Sequence, residues 1–160
     1  MVSLHRLDLG IITDISDNSI SKLVNLVELK LRRVTEVTEK SISKLKKLKI
    51  LALGRCITKF QLELPELKYL DLGRNNAIDD NVIAKLKKLK ILKLGKNKII
   101  TDNSVSKLLK LEQLYVGSNK NITDKCIRKL HRLMYLDLGY NTNITGATIF
   151  NSNAHIIRRN

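Results

Sequence analysis

The chain has 160 residues, a formal net charge of +15, 43% hydrophobic residues, two cysteines and no tryptophan. That length is enough for one domain with a real core, and no apolar run approaches the ~18 residues of a membrane-spanning helix. The opening residues, MVSLHRLDLGII, include an acid and enter a strand pattern at once, so no signal peptide is expected. From there the chain repeats itself. Leu4, Leu26, Leu48, Leu67, Leu89, Leu111 and Leu133 each open a unit of 22 residues, except that the step from Leu48 to Leu67 is 19. With each leading leucine as column 1, column 4 is Leu7, Leu29, Leu51, Leu70, Leu92, Leu114 and Leu136. Column 6 is leucine in every unit but one, where Val116 stands. The spacing of columns 4 and 6 is that of one strand face.

Column 9 begins Ile12, Val34, Cys56 and ends Asn75, Asn97, Asn119, Asn141. An asparagine amide there can bond loop backbone groups that burial would otherwise leave unpaired. Columns 13 and 14 carry pairs such as Thr101-Asp102 and Thr123-Asp124, which predict a helix N-cap with an acid at the positive end. Column 17 (Ile20, Ile42, Ile83, Val105, Ile127, Ile149) and column 20 (Leu23, Leu45, Leu64, Leu86, Leu108, Leu130) form one face of a short helix. Each unit is therefore strand, turn, short helix and return, and units must stack to bury their apolar faces. The third unit, LGRCITKFQLELPEL, is short, holds the only proline (Pro65) and lacks the Thr-Asp pair, which predicts an irregular back.

The L-x-x-L-x-L-G-x-N pattern resembles the leucine-rich repeat. The sub-motif ITDxSIxKLxxL is similar to the variable half of cysteine-containing repeats, the type found in substrate-recognition subunits of F-box ubiquitin ligases, and Cys56 fits that subclass. The 22-residue length is nearer the internalin-like class. The resemblance implies an α/β solenoid: a curved parallel sheet on the concave face, short helices on the convex side, and seven coils in one domain over 1–160. The coils start near 4, 26, 48, 67, 89, 111 and 133, and a tail at 151–160 drops the pattern. Phe150, Ile156 and Ile157 either fold back as a cap, or the chain is part of a longer solenoid, or the ends associate.

No enzyme is expected, nor any cofactor or metal. The three histidines are scattered and no glycine-rich loop leads to Lys-Ser or Lys-Thr. Asp8 with Lys30 and Asp71 with Lys93 share column 5 in neighbouring units, which predicts opposite charges paired across adjacent strands. Cys56 and Cys126 lie three coils apart and are expected to be unpaired buried thiols, hence an intracellular, reducing location. Asn121 and Asn143 open Asn-Ile-Thr triplets, which a secreted chain could glycosylate; the columns instead assign Ile to the core and Thr to the cap.

The resemblance puts partners on the concave face, through the outward columns 3, 5 and 8. All four tyrosines fall there: Tyr69, Tyr115, Tyr135 and Tyr140. Tyr115, Tyr135 and Tyr140 are expected to form one patch, with Gln113 and Asp137 as polar neighbours and Tyr69 and Ile91 extending it. A second surface is a lysine-rich edge from columns 19, 21, 22 and 2. It includes Lys46, Lys47, Lys49, Lys87, Lys88, Lys90, Lys107, Lys110, Lys129 and Arg132. It suits either a polyanion such as nucleic acid or an acidic surface, or solubility and helix-end charge complementation. The sequence thus points to a protein partner on the sheet, then to a polyanion on the edge, then to end-to-end self-association.

Overall fold

The computed structural model describes residues 3–10, 14–32, 36–54, 61, 63–145 and 154–159. The strands are β1 (Arg6–Asp8), β2 (Glu28–Lys30), β3 (Ile50–Ala52), β4 (Tyr69–Asp71), β5 (Ile91–Lys93), β6 (Gln113–Tyr115), β7 (Tyr135–Asp137) and β8 (His155–Ile157). They form one sheet in chain order, with every neighbouring pair parallel. Helices of four residues follow five of the strands: α1 (Asp17–Ile20), α2 (Glu39–Ile42), α3 (Asp80–Ile83), α4 (Asp102–Val105) and α5 (Asp124–Ile127). The fold is the leucine-rich repeat solenoid.

The strand register follows the columns without a slip. Leu7, Leu29, Leu51, Leu70, Leu92, Leu114 and Leu136 align strand to strand, even across the 19-residue unit. From Leu29 to Leu136 these residues are fully buried, as are Leu31, Leu53, Leu72, Leu94 and Val116 of column 6. Ile42, Ile83, Val105 and Ile127 meet them from the helices. No helix lies between β3 and β4 among the described residues. Leu64 and Leu67 keep the core continuous there, at 2% and 1% exposure.

The asparagines of column 9 form an internal ladder. Asn97 donates from Nδ2 to the carbonyls of Asn75 (2.8 Å) and Ile78 (3.1 Å) in the preceding coil. Its Oδ1 accepts the amides of Ile99 and Ile100 in its own turn. Asn141 repeats all four bonds one coil further on in kind, reaching back to Asn119 and Ile122 and holding Asn143 and Ile144. Cys56, at the same column, lies outside the described residues. Column 7 forms a second ladder. Gly95 has φ +56°, and a Cβ placed on it would stand 2.0 Å from the Gly73 carbonyl oxygen of the preceding coil. Arg32 occupies this column in the second coil and takes the left-handed φ of 24° at a cost in strain.

The tail adds an eighth strand, β8, to the sheet of the seven coils. Ile156 aligns with Leu136 in the inward column, 20 residues on. The repeat pattern is lost because Asn153 and Arg158 stand where columns 1 and 6 would demand apolar residues. Ile156 is 42% exposed. Phe150 lies outside the described residues.

Candidate functional site

The outward face of the sheet displays two aligned rows. Column 3 runs Arg6, Glu28, Ile50, Tyr69, Ile91, Gln113, Tyr135, His155, and column 5 runs Asp8, Lys30, Ala52, Asp71, Lys93, Tyr115, Asp137, Ile157. The first two strands are charged and satisfied among themselves. The expected Asp8–Lys30 pair does not form. Lys30 turns to Glu28 on its own strand at 2.6 Å, and Arg32 grips Asp8 with Nε and Nη2, both at 3.0 Å. The guanidinium fork fits the carboxylate with two bonds where an ammonium offers one. That grip holds the Asp8 carboxyl below its ordinary range.

Lys93 and Asp71 do not form an ion pair either. Asp71 turns its Oδ1 to the Gly73 amide at 2.8 Å. Lys93 instead lies over two rings, 5.5 Å from the centroid of Tyr69 and 4.6 Å from that of Tyr115. Burial works against its charge, but the Tyr69 hydroxyl and Asp71 outweigh that and raise its pKa. A shallow depression of about 270 Å³ lies where the charged and aromatic halves meet, lined by Lys30, Arg32, Ala52, Tyr69 and Asp71.

Tyr115 and Tyr135 meet across adjacent strands with ring centroids 5.0 Å apart and planes tilted by 37°. The Tyr115 hydroxyl donates to Gln113 Oε1 at 3.3 Å. The third ring of the cluster is His155 of β8, 5.8 Å from Tyr135, and not Tyr140. Tyr140 is 64% exposed and makes no ring contact among the described residues. Column 8 lies past the glycine turn, so its side chain leaves from the rim of the sheet. Asp137 is only 6% exposed. Its carboxylate accepts the Gly139 amide at 2.8 Å and Arg159 Nη2 at 3.1 Å, so the tail covers the polar neighbour expected beside the tyrosines. Ile91 sits between Tyr69 and Gln113 in its row, half-buried. The sequence reading missed His155 and Arg159 because β8 breaks the period, and missed the lysine between the rings because a column shows spacing and not side-chain direction.

The lysine-rich edge is partly neutralised across coils. Lys88 pairs with Glu66 at 2.6 Å and Lys90 with Glu112 at 2.7 Å. Lys47 donates to Asn25 Oδ1 at 2.7 Å, and Lys46 to the Glu63 carbonyl at 3.1 Å. Lys49, Lys87, Lys107, Lys110, Lys129 and Arg132 stand along the same edge, in no ion pair among the described residues. The column 19 lysines do not close the helices as expected. The last helical turns hold no base except Lys40 and Lys125, because each helix stops at column 17. Cys126 is a buried free thiol, and burial pushes its pKa up. No group of three or more His, Cys, Asp or Glu able to hold a metal occurs among the described residues. Among those residues, too, no helix is long and apolar enough to cross a membrane.

Residues 65–120 match the leucine rich repeat family model. No curated protein matches the sequence. Among solved structures, internalin C2 of Listeria monocytogenes is similar over 96% of this chain and 79% of its own, with 20% identity and a TM-score of 0.69. A leucine-rich repeat protein of Leptospira interrogans is similar over 96% of this chain and 42% of its own, with 25% identity and a TM-score of 0.69. A chain of the Rad7 and Elc1 complex of yeast is similar over 91% of this chain and 45% of its own, with 20% identity and a TM-score of 0.67.

Proposed function

We propose that this chain, built of leucine-rich repeats, is a non-catalytic protein-interaction module that takes its partner on the outward face of the sheet. Its structural neighbours include a chain crystallised in a protein complex, and the fold serves broadly as a binding scaffold. The observation that carries the reading is the aromatic cluster at one end of the face: Tyr115 against Tyr135, His155 beside them, and Lys93 between Tyr69 and Tyr115. Tyrosines combine apolar area with a hydroxyl and lose little entropy on binding, which makes them common interface anchors. Ile91 and Gln113 extend the cluster along the same row. The charged first strands satisfy themselves and act as a rim. The free buried thiol of Cys126 supports an intracellular location as part of the same reading.

Photo-crosslinking in the source cell tests the proposal. A benzophenone side chain replacing Gln113 should capture a discrete protein, and one replacing Lys47 on the opposite edge should not. Adding Tyr115→Ala and Tyr135→Ala should weaken capture by about tenfold or more, with the fold retained by circular dichroism. Capture that is equal at both positions, or indifferent to the tyrosines, would overturn the concave-face reading.

A further inference from the structure

We propose that the strand-to-helix rim of coils four to seven binds single-stranded nucleic acid, with Arg74, Lys96, Lys98 and Lys120 on its phosphates and Tyr140 stacking on a base. This rim is distinct from both the tyrosine face and the lysine-rich return edge. Its geometry comes from a backbone ladder. The amides of Arg74, Lys96, Ser118 and Tyr140 each donate to the column 7 glycine carbonyl of the coil before, at 2.7, 2.8, 3.3 and 2.8 Å. These four residues therefore stand side by side in consecutive coils, about 4.8 Å apart by strand spacing. Lys98 and Lys120 form a parallel row two residues further on. The turns that carry them are tied coil to coil: Lys98 N donates to Asn76 Oδ1 at 3.1 Å, and Asn121 and Asn143 donate from Nδ2 to the carbonyls of Lys98 and Lys120 at 2.7 Å. The platform is rigid before any ligand arrives.

Among the described residues the charge on this rim has no internal counterpart. Arg74, Lys96, Lys98 and Lys120 are exposed, and none forms an ion pair among the described residues. On the return edge, by contrast, Glu66 and Glu112 hold Lys88 and Lys90. Lys96, Lys98, Ser118, Lys120 and Asn121 line an open concavity of about 540 Å³. Phosphate contacts need cations free to replace counterions, and this rim supplies them together with hydroxyl and amide groups. Tyr140 decides the class of polyanion. Tyr140 is 64% exposed beside the basic row, and among the described residues it pairs with no other ring. An exposed aromatic ring beside two short rows of cations suits an unpaired strand, whose bases can stack. A duplex offers no base face, and an acidic peptide gives the ring nothing comparable.

The test is fluorescence anisotropy of the full chain with an end-labelled oligouridylate over a salt series. The wild type should bind at low salt and weaken steeply as salt rises. The triple variant Lys96→Gln, Lys98→Gln, Lys120→Gln should lower affinity about tenfold or more and make the salt slope shallower by about 2. Tyr140→Ala should weaken binding roughly 5- to 150-fold, the equivalent of one lost stacking contact, with the slope unchanged. Lys87→Gln, Lys107→Gln, Lys110→Gln removes the same charge from the other edge and should leave affinity nearly intact. Melting temperatures verify that each variant is folded. Absence of binding, equal losses in the two triple variants, or indifference to Tyr140→Ala would overturn the proposal. Polyglutamate that displaces the oligouridylate at equal charge would also overturn it, in favour of an acidic protein ligand.

Discussion

At the scale of single residues, alternation along a three-residue strand separates core from surface. Leu92 is fully buried between Leu70 and Leu114. Leu92→Ala should destabilise the protein by about 2–5 kcal/mol, since a cavity in a stacked core cannot collapse freely. Its neighbour Lys93 points outward, and from the sequence its truncation would be expected to cost less than about 0.5 kcal/mol. The ammonium between Tyr69 and Tyr115 revises that figure. Lys93→Ala should cost about 0.5–1 kcal/mol, the usual worth of an exposed cation–π contact. Urea denaturation of the two variants checks both values, and comparable losses would mean the strand register is wrong.

At the scale of the element, a four-residue helix has no stability of its own. Here α2, α4 and α5 are each held by a threonine cap and by the coil before. Thr101 Oγ1 accepts the Asn103 amide, capping α4. Thr101 also donates its amide and hydroxyl to the carboxylate of Asp80, the first residue of α3, at 2.8 and 2.5 Å. Ser104 adds a third bond to the same carboxylate at 2.5 Å. Thr38 and Ser41 do the same to Asp17 of α1. Burial works to raise the Asp17 pKa, but the Ser41 and Thr38 bonds outweigh it and hold the carboxyl below its ordinary value of 3.8. A carboxyl depressed by folding contributes stability above its unfolded pKa and loses it as the pH falls through the folded value. Melting temperatures followed by circular dichroism should therefore drop as the pH is taken below about 4, and Asp17→Asn should flatten that drop.

At the scale of the molecule, charge is distributed by edge. The sheet face neutralises its first strands internally and the return edge pairs Lys88 with Glu66 and Lys90 with Glu112. Lys87, Lys88 and Lys90 lie away from the tyrosine cluster. Replacing them together with Gln should leave partner capture at Gln113 intact and reduce solubility, measured as the concentration at which the protein precipitates, because net charge keeps a basic surface apart from its copies. Loss of capture in that variant would shift the partner site to the return edge.

The sequence by itself determined the repeat, the strand register and the inward columns, because each coil must bury the same positions against the next and the requirement recurs seven times. The asparagine and Thr-Asp positions were legible for the same reason, although Asp80 shows no sign in the chain that its partners are Thr101 and Ser104 of the following coil. Only the tertiary structure decided the outward side. Lys93 turned to two rings, Lys30 to its own strand and Asp137 to Arg159, and nothing in a column records a choice among several reachable partners. The eighth strand was hidden because Asn153 and Arg158 stand at columns 1 and 6, where the pattern calls for apolar residues. That strand is what brought His155 beside Tyr135, while Tyr140 stays exposed on the rim.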